Sequence, residues 1–206
     1  MLKMDTLKEF SEITVPDPRS GMFAAFDSEK GEFRRREIED HYGMISKIAL
    51  HKGVPEKVRE HFETTKNLLL YSWFVYRFIP VAEFHAASTL EFALKLKTGG
   101  KIKGLSKLIS HAVDEGWVKN QGFSVWQNRM RMAEEEKKMY EQWSKLSEEE
   151  FDFPEKEYDY LEILKKSIPA LRNEYAHGSS FLHPGGYEKL EICAEFINQL
   201  FEGTDI

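Results

Sequence analysis

The strongest constraint in this chain is a helical period through its middle and its end, while no stretch of useful length alternates apolar and polar residues as a half-buried strand would. From about Glu56 to Ile79, the residues Val58, Phe62, Thr65, Leu69, Trp73 and Tyr76 recur at three- and four-residue spacings, so one helix face points inward. The second half of this stretch is apolar nearly all round, which suits a central bundle member. Pro80 marks a kink or a new start. After it, Ala82, Ala86, Leu90, Ala93 and Leu94 form a second stripe, whose small residues admit a close neighbour, and Thr98, Gly99 and Gly100 end it. A third stripe, Leu190, Cys193, Ala194, Ile197, Leu200 and Phe201, lies in a helix over about 187 to 201.

Other stretches are less regular. Residues 1 to about 30 carry Pro16, Pro18, Gly21 and Gly31 and suit an arm. From Glu32 to about Leu50, Phe33, Ile38, Tyr42, Ile45 and Leu50 fall near one helical face, although Gly43 weakens it. Residues 105 to 115 form a shorter helix and 116 to 122 a loop. Ser124 to Leu146 read as an exposed helix with a thin stripe of Met132, Met139, Trp143 and Leu146, and Pro154 precedes a helix over about 155 to 177. The expected architecture is an all-α helical bundle. No internal repeat is present.

A length of 206 residues suits one well-buried core, and 13% aromatic residues are enough to fill it. The net charge of -6 argues against non-specific coating of nucleic acid, so any RNA contact must be local. One cysteine, Cys193, permits neither an intramolecular disulfide nor a cysteine-based zinc site, which favours a reducing compartment; the cytoplasm is the expected location. Charges interrupt every apolar stretch of the amino terminus, so no secretory signal is expected. The most apolar segment, Leu68 to Ala82, contains Arg77 and Pro80 and falls short of the ~18 residues of a spanning helix, so no membrane partner is expected either.

The most informative segment is IPALRNEYAHGSS, residues 168 to 180. Arg172 is followed by Asn173, and His177 stands where Gly178 would end a helix. A five-residue offset leaves Arg172 and His177 roughly 140° apart on a rigid helix, so they do not simply sit side by side. The negative end of the helix favours a cation at position 177, which predicts a raised proton affinity and suits general acid or base work. Arg172 can grip a phosphate through its planar fork and stabilise charge in a transition state. Asn173 can hydrogen-bond the phosphate or orient a partner, and Pro169, a turn earlier, disrupts the helix and helps set the direction of Arg172.

This segment resembles the signature of the HEPN superfamily, in which an Arg, a polar neighbour and a His four to six residues later lie at a helix end. The helices over 56 to 97 and 155 to 202 resemble that family's bundle. The resemblance implies a HEPN-like domain over 51 to 206 with an insertion at 116 to 154, preceded by an arm and accessory helix over 1 to 50. It further implies metal-independent RNA cleavage by the strand's own 2′-hydroxyl, with Arg172, Asn173 and His177 as catalytic residues, no cofactor, and two chains joined across a two-fold axis. A regulated toxin or defence nuclease with a cognate antitoxin or regulatory protein belongs to the same expectation. One branch of the family has Tyr two positions after the His; Ser179 stands there, so that branch's chemistry is not carried over.

Two alternatives stay open. The domain can be a non-enzymatic module that binds RNA, a nucleotide or a protein, or a purely structural helical dimer. His177 would then only cap the last carbonyls, and Arg172 would make an ion pair, for example with Glu174 or Glu162. A lysine run, Lys95, Lys97, Lys101, Lys103 and Lys107, contains no acidic residue and is a candidate for RNA phosphate contacts or a solvated loop. It is not a phosphate-binding P-loop, because Ile102 follows Lys101. His41, His51, His61, His85, His111 and His183 give no i, i+4 pair, so no helical metal site is expected. Ser179 and Ser180 lack a nucleophile elbow, and the aromatic residues of 71 to 84 read as core packing.

Overall fold

The computed structural model describes residues 5–147, 158–178, 182 and 184–203. Among them are seven α-helices and one two-stranded hairpin: β1 (Ala24–Asp27), β2 (Glu32–Arg35), α1 (Ile38–Ser46), α2 (Glu56–Tyr71), α3 (Phe78–Lys97), α4 (Leu105–Asp114), α5 (Ser124–Ser147), α6 (Tyr160–Ala176) and α7 (Tyr187–Leu200). The architecture is an all-α bundle.

Helix α3 is its axis and packs against α2, α4, α6 and α7. Its stripe of Ala82, Ala86, Leu90, Ala93 and Leu94 is completely buried, and the alanines let neighbouring backbones come close. Facing it are Val58, Phe62 and Leu69 of α2 and Leu190, Ile197 and Leu200 of α7, all inaccessible or nearly so. Among the described residues no helix is long and apolar enough to cross a membrane.

Where the periodicity predicts one helix from Glu56 to Ile79, the chain breaks between Tyr71 and Phe78. The carbonyl of Trp73 is taken by the N–H of Asp17 at 2.9 Å and the hydroxyl of Ser20 at 3.0 Å, so the amino-terminal arm replaces the helical partner. Trp73 and Tyr76 remain buried. Pro80 consequently falls in the first turn of α3, where an N–H is not needed.

The helix expected from Glu32 is also shorter. Residues 32–35 instead pair antiparallel with 24–27, in the register Ala24↔Arg35 and Phe26↔Phe33. The Asp27 carboxylate accepts the N–H groups of Glu29 and Lys30, which closes the turn. Phe33 therefore lies outside, 77% exposed and edge-on to Phe26. Helix α1 follows soon after β2, opens with a reciprocal cap between Glu37 and Asp40, and runs through Gly43. Buried His41 fastens α1 to the bundle: Nε2 donates to the Leu69 carbonyl at 2.9 Å and Nδ1 meets the Tyr187 hydroxyl.

Helix α5 is mostly exposed, as its charge predicts. Its start is held by Glu195, which accepts the Ser124 N–H, and by Trp126, whose ring N–H donates to the Tyr158 carbonyl at 3.0 Å. Helix α6 runs through Pro169 without ending, although the proline leaves the Lys165 carbonyl without its i+4 donor.

Candidate functional site

Helix α6 ends where the sequence places its end. The N–H of His177 bonds the Asn173 carbonyl at 3.0 Å, the N–H of Gly178 bonds that of Tyr175 at 3.2 Å, and Gly178 takes φ 88°, a left-handed conformation that a side chain would strain. Backbone groups thus make this cap. The His177 ring is exposed and forms no hydrogen bond with a described residue.

Arg172 turns the other way, toward α3. Its guanidinium stands 5.9 Å from the Phe84 ring centre, and Nη2 approaches the Glu91 carboxylate at 3.5 Å. The partner is therefore neither Glu174 nor Glu162, which pairs with Lys165. Nη1 makes an equally long contact, 3.5 Å, with the Asn173 amide oxygen. The Nε atom is buried and has no acceptor among the described residues. Such an orphan donor costs about 1–3 kcal/mol, and the adjacent Nε and Nη2 form the edge that holds an oxyanion with two parallel bonds. A single chain brings together Arg172 and Asn173 but not His177, because the helix separates them as its pitch requires.

Glu91 was not legible as part of this site. Only 13% of its side chain is exposed, and it binds Lys95 more closely, at 2.6 Å, than it binds Arg172. Lys95 is thereby joined to the arginine site. Lys97 lies over the Trp117 and Phe201 rings at 5.6 and 5.5 Å, while Lys101, Lys103 and Lys107 are exposed beyond the end of α3 and within α4. The lysine run thus divides into one residue at the site, one packing residue and three solvated ones.

One turn after Arg172, Tyr175 donates its hydroxyl to the Glu83 carboxylate, which is 1% exposed. Burial first, and then this hydrogen bond, push the phenol above its ordinary range. Glu83 also lines a cavity of about 120 Å³ between α3, α6 and α7, walled by Ala87, Leu164, Ile168, Leu171 and Ile192. Cys193 borders it with a thiol that burial pushes up to about 12, far from a reactive thiolate.

On the opposite flank of α3, the rings of His61 and His85 stack at 4.2 Å with 14° between their planes. No spacing within one helix announces this pair, because α2 and α3 each supply one ring. Among the described residues no three His, Cys, Asp or Glu side chains converge as a metal site. Ser179, Ser180 and His183 lie outside the described residues.

No protein-family model matches the chain, and no curated protein or solved structure matches it.

Proposed function

We propose that this protein is a metal-independent endoribonuclease of the HEPN type, with Arg172 as its phosphate-binding residue. The carrying observation is the loosely held Arg172 guanidinium: its side chain is about one-third exposed, and Nη2 lies 3.5 Å from the Glu91 carboxylate. A phosphodiester competes with Glu91 for the guanidinium's exposed end. His177, exposed at the helix end, serves as the proton-transfer group, and Asn173 orients the arginine or the phosphate. In this reading the 2′-hydroxyl attacks the adjacent phosphorus and the 5′ oxygen leaves, so the products are a cyclic phosphate and a 5′-hydroxyl. A toxin or defence role belongs to the same family resemblance, and the single cysteine favours a cytoplasmic location.

A second reading, a non-enzymatic RNA-binding module, is favoured by one observation: Arg172 and His177 do not meet within a chain. Incubation with mixed RNA and excess chelator separates the two. Cleavage should persist with chelator, and His177→Ala should reduce it by about 10²-fold or more with an unchanged melting temperature. RNA binding without cleavage, or cleavage that needs added magnesium, would overturn the nuclease reading.

A further inference from the structure

Two of the molecule's histidines are structural by their bonding. His41 engages Tyr187 and the Leu69 carbonyl, and His51 accepts the Gly53 N–H at Nδ1 and donates to the Asn198 carbonyl at Nε2, so both ring nitrogens of each are occupied. His61 and His85 are bonded differently. His61 Nδ1 lies 2.7 Å from the Thr89 hydroxyl, and His85 Nδ1 lies 2.8 Å from that of Thr65. Both threonines are completely buried. Neither Nε2 atom has a described partner, and both side chains are half-buried.

The hydroxyl protons fix what this pair presents. Thr89 donates its proton to the His85 carbonyl at 2.8 Å, so its oxygen accepts from His61, and the neutral His61 carries its proton on Nδ1. The other contacts of the Thr65 hydroxyl are long, 3.4 Å each, so its proton is available to His85 Nδ1, which leaves an N–H at His85 Nε2. One further proton, on His61 Nε2, gives the stacked pair an N–H donor on each ring and one positive charge. A phosphate oxyanion matches that arrangement. A metal ion does not, because rings that are nearly parallel cannot both direct an in-plane lone pair at one centre.

We infer that the His61–His85 pair is a binding site for a phosphate oxyanion, and, resting on the RNA reading of Arg172, that it takes a second phosphate of the same strand. Positions 84 and 91 on one flank of α3 face Arg172; positions 85, 89 and 92 on the other carry the histidine cluster. Between them Val81 and Lys95 are exposed and Ser88 is half-buried, a strip about as wide as a helix, ~10 Å, which a short run of extended strand crosses. The charged groups around the pair allow this. Lys57, one turn before His61 on α2, is exposed and adds a cation, while on α3 Lys95 of the intervening strip neutralises Glu91. Among the described residues the ring contacts of both histidines come from α2 and α3 alone.

The test is an imidazole nitrogen NMR titration of the full chain, first with inorganic phosphate and then with a single-stranded oligodeoxynucleotide, which lacks the attacking hydroxyl. At about pH 5.5 phosphate should shift the Nε2 signals of His61 and His85 and leave those of His41 and His51 in place, and its affinity should be at least about tenfold weaker near pH 8. His61→Gln should abolish the pH dependence. Unmoved His61 and His85 signals in the wild-type protein, or equal binding at both pH values, would overturn the site. RNA cleavage that depends on Arg172 while phosphate leaves the pair unmoved overturns only this inference. Phosphate on the pair without any RNA cleavage keeps the site and removes the nuclease reading. An oligodeoxynucleotide that perturbs neither histidine, where free phosphate perturbs both, assigns the site to a free phosphate compound and overturns the strand path.

Discussion

At Arg172, two residues compete for one acceptor. Glu91 sits 2.6 Å from Lys95 and 3.5 Å from Arg172, so the carboxylate already favours the lysine and holds the arginine loosely. Glu91→Gln keeps the shape of the side chain and removes the rival anion. Phosphate or RNA should then bind roughly three- to tenfold more tightly. Affinity that falls in a filter-binding measurement would show that Glu91 positions the fork rather than competing for it. Arg172→Lys should behave in the opposite way, losing the two-bond edge while keeping the charge. His41 carries a separate prediction about pH. Burial lowers its proton affinity below the ordinary value of 6.5, outweighing the Leu69 and Leu70 carbonyls that raise it. The unfolded chain therefore binds the proton more readily, so this residue's contribution is intact above about pH 6.5 and is lost as pH falls through the lower folded value. Thermal melts from pH 8 to pH 5 should show a decline that His41→Gln flattens.

Elements differ in how far their sequences announce them. The inward faces of α2, α3 and α7 were legible because burial repeats at the helical period: Val58, Phe62, Leu90, Leu94, Leu190 and Ile197 are all fully buried. The hairpin was not, because neither strand has a buried face for alternation to mark; Phe26 and Phe33 are both largely exposed. The break after Tyr71 carries no Gly or Pro. It arises from a distant segment that captures the Trp73 carbonyl, an event that local propensity does not record. In the site, the helix end at His177 and Gly178 was legible from residue type, whereas Glu91, Phe84 and the His61–His85 stack depend on how α2, α3 and α6 face one another. The start of α7 offers a test of one such meeting. Gly186 has φ 97°, and a Cβ there would lie 2.7 Å from Leu69 Cδ1. Gly186→Ala combines backbone strain with a clash against a core residue, so it should cost about 1–3 kcal/mol in denaturant unfolding. An unchanged midpoint would mean that α7 re-seats without loss.

For the whole molecule, the decisive fact is that Arg172 faces α3 while His177 projects from the end of α6 on another side. If both act on one phosphate, two copies have to supply them, and a two-fold axis near the end of α6 would build two such composite sites. Mixing variants tests this wherever the interface lies. Arg172→Ala and His177→Ala should each be inactive alone. After co-refolding in equal amounts, about half of the dimers are mixed, and each mixed dimer has one site with both native side chains and one with neither, so cleavage should recover to about a quarter of the wild-type rate. Light scattering at tens of micromolar should accordingly report a dimer. A site contained within one chain gives no recovery, because no chain in the mixture carries both residues. Recovery absent from a preparation shown to contain mixed dimers would therefore overturn the composite site and place Arg172 and His177 in a site within one chain.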